Sequence, residues 1–239
     1  MGEVWAIVVA GGSGSRFGEA VPKQFLDLGG LRLIDWALAA AAASCDGVVA
    51  VLPAAHLGAA PPVATRSGTV IAVAGGPTRS ASVRAGLAAV PAGAAVLVVH
   101  DAARPLAATE LFERVIAAVR AGADGAVPGV PVADTIKRVD PGEGIDPGGP
   151  SGKQAGPKVE RVLETLDRPA LRAIQTPQAF SASALRAAHA SGGEATDDAA
   201  LVEAAGGRVV VVSGDPANLK VTGPEDLERA EALLTRRSL

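Results

Sequence analysis

Apolar residues in the first half of the chain fall into short continuous runs separated by stretches with helical spacing. Val4–Ala10, Val48–Leu52, Val70–Ala74 and Ala95–Val99 are such runs, flanked by Gly, Pro, Asp and His residues. Runs of this length without polar alternation predict strands buried on both faces, as in a parallel sheet. Between them, Leu33–Ser44 reads as an alanine-rich helix. Ser80–Val90 sets Val83, Leu87 and Val90 on one stripe, and Thr109–Ala121 does the same with Leu111, Val115, Ile116 and Val119. Residues 56–65 are ambiguous, because Pro61-Pro62 rules out a long helix. Gly125–Val132 reads as a fifth strand whose two prolines predict an irregular or edge position. The alternation predicts βαβ units: an α/β fold with a Rossmann-like, mostly parallel twisted sheet, flanked by helices and joined by right-handed crossovers.

The pattern changes at Ala133. Residues 140–158 are dense in glycine and proline, which predicts an excursion from the sheet over 133–172 with a flexible tip near 141–158. Order returns at Ala173–Gln178, followed by a helix from Ser181 to His189. A second helix covers Thr196–Ala205, with Thr196 and Asp197 as candidate caps. Arg208–Ser213 reads as a strand. The last helix, Pro224–Arg236, opens with a cap, a proline and two acids in Thr222-Gly223-Pro224-Glu225-Asp226. No internal repeat is visible, and one domain over 1–239 is expected.

Composition narrows the class. Of 239 residues, 49% are hydrophobic but only 3% aromatic, so the core is expected to be built from Ala, Val and Leu. A net charge of −3, from 22 basic and 25 acidic residues, argues against nucleic acid or an anionic membrane as the partner. Cys45 is the only cysteine, which excludes a disulfide framework and a cysteine metal cluster. No apolar run reaches membrane-spanning length, and the first residues lack the basic region of a signal peptide. A cytoplasmic protein is expected.

The chemistry concentrates after the first strand. Ala10-Gly11-Gly12-Ser13-Gly14-Ser15-Arg16 and Pro22-Lys23-Gln24 combine a glycine-rich turn, able to approach a ligand closely, with two cations. That asks for a phosphate-rich ligand. A Walker loop fails because Pro22, not glycine, precedes Lys23; a dinucleotide fingerprint fails because Phe17 stands at its last glycine. Asp101 closes a predicted parallel strand, where open α/β sheets place ligands, and is a candidate magnesium ligand or, alternatively, a cap. No serine has a G-x-S-x-G setting and no His pair has metal-ligand spacing; His56 and His189 read as surface or helix residues.

The remaining pattern resembles the nucleotidyltransferases that activate sugar and polyol phosphates. The resemblance rests on the first loop and on Gly75-Gly76 with Arg79, Ser82-Val83 and Gly86-Leu87. It continues through Val99-His100-Asp101-Ala102-Ala103-Arg104-Pro105 and Pro131-Val132-x-Asp134-Thr135-Ile136-Lys137. Gln175-Thr176-Pro177-Gln178-x-Phe180, Thr196-Asp197-Asp198-Ala199 and Asn218-x-Lys220-x-Thr222 complete it, in the family's order. Within that family the blocks look most like the cytidylyltransferases acting on 2-C-methyl-D-erythritol 4-phosphate in the non-mevalonate isoprenoid route. The double glycine Gly11-Gly12 leans toward the ribitol 5-phosphate enzymes.

This resemblance implies transfer of CMP from CTP to a polyol phosphate with release of pyrophosphate, and Mg2+ as cofactor. It implies catalytic cations at Arg16 and Lys23 and a metal ligand at Asp101. Nucleotide contacts are implied at Ala10, Gly11, Gly12, Ser13, Gly14, Gly76, Ser82 and Ala102, and polyol phosphate contacts at Arg104, Asp134, Thr135, Arg168, Thr176 and Lys220. Arg161 and Arg172 are alternatives to Arg168, and Pro77 stands where the family is often polar. A homodimer is also implied, in which the excursion brings Thr135 and Arg168 to the neighbouring site. A phosphate monoester is largely dianionic at neutral pH and needs no general base, so alignment and charge stabilisation should carry the reaction. A non-catalytic nucleotide-binding regulator would be expected to lack Arg16, Lys23 or Asp101, all of which are present.

Overall fold

The computed structural model describes residues 2–10, 22–59, 69–145 and 159–237; the glycine loop with Arg16 and the segment 146–158 lie outside them. The chain forms two compact units, one from 1–129 with 174–239 and one from 130–173.

The first unit is built on a mostly parallel sheet. Strands β1 (Val4–Val9), β4 (Gly47–Leu52), β5 (Thr69–Ala74), β6 (Val96–Asp101), β7 (Gly125–Pro131), β11 (Gln178–Ser181) and β12 (Val209–Ser213) belong to it. The order runs β7–β11–β6–β1–β4–β5, with β12 on the other side of β7. Two core layers follow from the alternation of side chains along each strand. Val4, Ala6 and Val8 of β1 face α1 (Leu33–Ser44) and α3 (Thr109–Arg120), where Phe112 and Val115 are fully buried. Trp5 and Ile7 face the opposite layer of α2 (Arg79–Ala89), α4 (Ala182–Ala190) and α5 (Asp198–Ala204). A third cluster packs Leu28 and Leu33 against Val221 and Ala230, the latter on α6 (Pro224–Arg237). Leu28 lies in the small hairpin β2 (Asp27–Leu28) and β3 (Leu31–Arg32), whose turn residues Gly29 and Gly30 have φ of 63° and 89°. Only glycine holds such angles without strain, so this Gly-Gly turn is a hairpin signal written in the sequence that the strand pattern above passes over.

Two expectations are corrected. β11, a strand of four residues, is absent from the elements expected from sequence; it inserts antiparallel between β6 and β7. Gln178-Ala179-Phe180-Ser181 is too short and too mixed to show a period. Its interior place comes from long-range pairing. The expectation of an edge or irregular position for β7 is overturned as well, since it pairs with β11 on one side and β12 on the other. Pro128 is tolerated because its nitrogen faces the β11 side, where pairing with β7 has already ended at Ala126. Its carbonyl instead accepts a hydrogen bond from the Gln175 N–H at 2.8 Å.

The second unit is an antiparallel pair, β8 (Lys137–Ile145) and β9 (Val159–Thr165), and the short strand β10 (Arg172–Ile174) leads the chain out of it. Residues 141–145 therefore continue a strand rather than begin a tip, and a register irregularity between Asp140 and Ile145 absorbs the Pro-Gly sequence. Arg138–Glu164 (3.0 Å) and Arg161–Asp140 (3.5 Å) bridge the pair, and Val162 and Leu163 are exposed.

Phe112 sits fully buried against the His100 ring, with centroids 5.1 Å apart. Phe112→Ala is expected to lower unfolding free energy by about 3–5 kcal/mol, measured by urea denaturation.

Candidate functional site

The strand order places β6 and β4 on opposite sides of β1, so the connections leaving β1 and entering β6 diverge. This is a topological switch point, and a crevice opens there at the carboxyl ends of the strands. A cavity of about 450 Å³ occupies it, lined by Val9, Ala10, Lys23, Gln24 and the 76–79 turn, with Ser82, Asp101, Ala102, Ala103 and Lys220. Ala10, Lys23, Gly76, Ser82, Asp101, Ala102 and Lys220, all singled out by sequence, meet in this one place.

The backbone holds each of them. Ala102 N–H donates to the Val9 carbonyl at 3.0 Å, and Ala10 N–H to Val51 at 2.9 Å, so the strand ends stay in register beyond the sheet. Gln24 is buried and its amide donates to the Ala10 carbonyl at 2.6 Å, tying the Pro22-Lys23-Gln24 turn to the end of β1. Lys23 Nζ approaches the Val221 carbonyl at 3.3 Å. In the second turn Thr78 caps α2 by accepting from Ala81 N–H. Ser82 Oγ accepts from Gly76 N–H at 3.2 Å and donates to the Thr78 carbonyl at 2.9 Å. Ser82 thus shapes the turn and is itself almost fully buried.

Asp101 is the single carboxylate among the described lining residues, against Lys23, Arg79 and Lys220. Lys220 Nζ lies 2.8 Å from Oδ2 and Arg79 Nε 3.3 Å from Oδ1. Burial opposes the charge, but Arg79 and Lys220 outweigh it and hold Asp101 well below the usual carboxylate range. Arg79 answers in kind: burial disfavours its charge, and Asp198 with Asp101 more than compensates, raising its pKa. Among the described residues no cluster of three or more His, Cys, Asp or Glu could hold a metal. The donor set still fits Mg2+, which is commonly held by one or two carboxylates together with substrate phosphates. Asp101, a hard oxygen donor on the wall of a cationic cavity, is the group that fits it.

Behind Asp101 the hydrogen-bond directions can be assigned. Thr176 Oγ1 accepts from Asp101 N–H at 3.0 Å, so its own proton goes to His100 Nδ1 at 3.1 Å. His100 Nε2 therefore carries the hydrogen and donates to the Arg104 carbonyl at 3.2 Å. Burial lowers the His100 pKa to about 4, which makes it a neutral strut rather than an acid or base. Thr176 lies among buried groups and steadies Asp101 from behind. Arg104 also turns inward: its guanidinium donates to the carbonyls of Asn218 at 2.7 Å and Ile174 at 3.5 Å. It ties the loop after β6 to the segment carrying Lys220.

In the second unit, Asp134 and Thr135 are exposed. Arg168 donates to the Ala133 carbonyl at 2.7 Å. Arg168 and Arg172 line one cavity with Pro131, Val132, Ala133 and Pro169, whereas Arg161 is paired with Asp140. Gly11, Gly12, Ser13, Gly14 and Arg16 lie outside the described residues.

The sequence motifs contain Arg79, Gln24 and Asp198 without assigning them a role, and they do not contain His189. Arg79 follows the capping Thr78 directly, a signal available in the sequence. Asp198 shares a helix face with Leu201 and Val202, so its burial was legible from spacing. His189, expected at the surface or simply on a helix, is buried against Asp198 at 2.9 Å.

Among the described residues the switch point of this parallel sheet presents one acid and three cations beside a capped helix N-terminus, an arrangement suited to a nucleotide's phosphates. Comparison with known proteins makes this specific. The family model described as IspD, 2-C-methyl-D-erythritol 4-phosphate cytidylyltransferase, matches residues 4–236. The chain belongs to that family. It is 44% identical over 239 residues to the 2-C-methyl-D-erythritol 4-phosphate cytidylyltransferase of Nocardia farcinica, covering 99% of this chain and 96% of the relative. It is also 44% identical to the bifunctional enzyme IspD/IspF of Clavibacter michiganensis, of whose length it spans 54%, with 96% of this chain covered. The crystal structure of the Thermus thermophilus 2-C-methyl-D-erythritol 4-phosphate cytidylyltransferase superimposes with a TM-score of 0.72 at 35% identity, covering 98% of this chain and 99% of that one.

The neutral form of His100 has a measurable consequence. Its folded pKa lies below the unfolded value, so the unfolded chain binds the extra proton first. Its contribution to stability is present above about pH 6.5 and lost as pH falls toward 4, by roughly 3 kcal/mol in full. The expected result is a His100 ring resonance titrating near 4 by NMR, with urea stability falling across the same window.

Proposed function

We propose that this chain transfers CMP from CTP to 2-C-methyl-D-erythritol 4-phosphate in isoprenoid precursor synthesis. The products are 4-diphosphocytidyl-2-C-methyl-D-erythritol and pyrophosphate. The observation that carries the reading is the convergence of Lys23, Arg79, Lys220 and Asp101 on one switch-point cavity in a chain that the family model matches almost throughout. An oxygen of the acceptor phosphate attacks the α-phosphorus of CTP, the bond to the β-phosphate breaks, and pyrophosphate leaves with its electron pair. The attacking oxygen is already anionic, so no proton needs removing. Lys23 is the point charge for the α-phosphate and the departing pyrophosphate, together with Arg16 from the glycine loop. Lys220 meets the acceptor phosphate. Asp101 would hold Mg2+, which supplies positive charge at the triphosphate. The uncharged end of the cavity, at Ala10, Gly76 and Ser82, takes the base.

The second unit supports a homodimer in this reading. Its β8–β9 pair exposes Val162 and Leu163 on successive, opposite-facing positions, and its Arg168 and Arg172 share a cavity suited to a phosphate. Apolar exposure on a two-stranded arm fits an arm that reaches a second copy. CTP and a phosphorylated polyol are soluble metabolites, and the reading places the protein in the cytoplasm. The ribitol 5-phosphate alternative is not favoured, because the matched family is that of the methylerythritol phosphate enzymes.

Pyrophosphate release with CTP, Mg2+ and 2-C-methyl-D-erythritol 4-phosphate tests the activity. Turnover on ribitol 5-phosphate alone would overturn it. Lys23→Ala is expected to lower kcat at least about a hundredfold with an unchanged circular dichroism spectrum. Sedimentation should show a dimer, and Leu163→Glu should shift it toward monomer while CTP binding persists. A monomeric wild type would remove the arm from the site.

A further inference from the structure

The nucleotide reaction uses Asp101, but a pair of buried groups behind it remains unassigned. His189 closes α4, Asp198 opens α5, and Arg79 opens α2. His189 Nε2 lies 2.9 Å from Asp198 Oδ1, and Arg79 Nη1 lies 2.7 Å from Asp198 Oδ2. The His189 and Asp198 side chains are 2% and 0% exposed, and neither lines the cavity. Since Asp198 is an acceptor, the hydrogen in the first contact sits on His189 Nε2. Each carboxylate oxygen of Asp198 therefore has a donor from a different helix, and this fixes the rotation of the group.

Arg79 is held asymmetrically. Its contact with Asp198 is 2.7 Å, but its contact with Asp101 is 3.3 Å and uses Nε only. An arginine beside one free carboxylate closes on it as a bidentate fork. Here the buried acid anchors the guanidinium first, and Arg79 gives Asp101 one long contact at Oδ1, while Lys220 Nζ holds Oδ2 at 2.8 Å.

We propose that Asp198 and His189 are positioning residues for nucleotide binding. The pair anchors Arg79 so that it steadies Asp101 without closing over it, which leaves Asp101 Oδ1, the oxygen that Lys220 does not hold, only loosely engaged at the cavity wall. This rests on the function proposed above. Without Asp198, Arg79 closes on Asp101 Oδ1 and, with Lys220 already on Oδ2, masks the acid that the triphosphate and its cation need.

The test is a double-mutant cycle read by calorimetric CTP binding in Mg2+ and by steady-state kinetics. Asp198→Asn is expected to weaken CTP binding and raise KM for CTP about tenfold or more, with KM for the polyol phosphate little changed. In an Arg79→Gln background the same substitution is expected to have no further effect on CTP binding, because Asp198 acts through Arg79. His189→Ala should weaken CTP binding severalfold, and His189→Gln, which keeps a donor at the Nε2 position, should restore it to within about twofold. These milder variants keep the test open if Asp198→Asn fails to fold. Equal losses in the wild-type and Arg79→Gln backgrounds, or His189→Ala binding CTP like the wild type, would overturn the proposal. Failure of the wild type to bind or turn over CTP would instead overturn the functional reading itself.

Discussion

The pairing of β1 with β6 places Val9 opposite Asp101, and the site depends on that register. Both strands run parallel, so their carboxyl ends finish at one edge. Neighbouring connections then separate to opposite faces and leave a crevice. Helix α2 can lie close over β1 because Gly86 carries no side chain; a Cβ there would come within 2.5 Å of Ile7 Cγ2. The close approach brings the start of α2, with Thr78, Arg79 and the Gly76 turn, to the same edge as Asp101. A small packing constraint in the sheet layer thus sets the position of the nucleotide turn.

The electrostatic arrangement follows from this placement. Among the described residues one carboxylate is set among three cations, an excess of positive charge suited to a triphosphate. The surrounding polar groups are engaged with one another rather than with the cavity. His100, Thr176 and Arg104 form a chain of directed hydrogen bonds behind Asp101, while Asp198 and His189 anchor Arg79. A buried carboxylate such as Asp198 is costly unless paired, and both of its oxygens have partners in Arg79 and His189. The result is a preorganised set of charges with no titrating base, which suits a nucleophile that arrives already ionised.

The mostly parallel sheet and its flanking helices are legible in the chain alone, since continuous apolar runs and helical stripes follow from burial on two faces or one. The resemblance of its short motifs to a known family implied nucleotide, metal and acceptor roles for Ala10, Lys23, Gly76, Ser82, Asp101 and Lys220, which line one cavity. What depends on partners distant in the chain came from three-dimensional packing. β11 gains its strand state from β6 and β7 rather than from its own four residues. Arg104 and Thr176, which the resemblance set among the acceptor contacts, gain interior partners in the Asn218 carbonyl and His100, groups far away in the chain. Arg79, Asp198 and His189 become one unit only when α2, α4 and α5 pack on the same face of the sheet. Periodicity reports which face of an element is buried; it carries no record of which distant group a buried polar atom will meet.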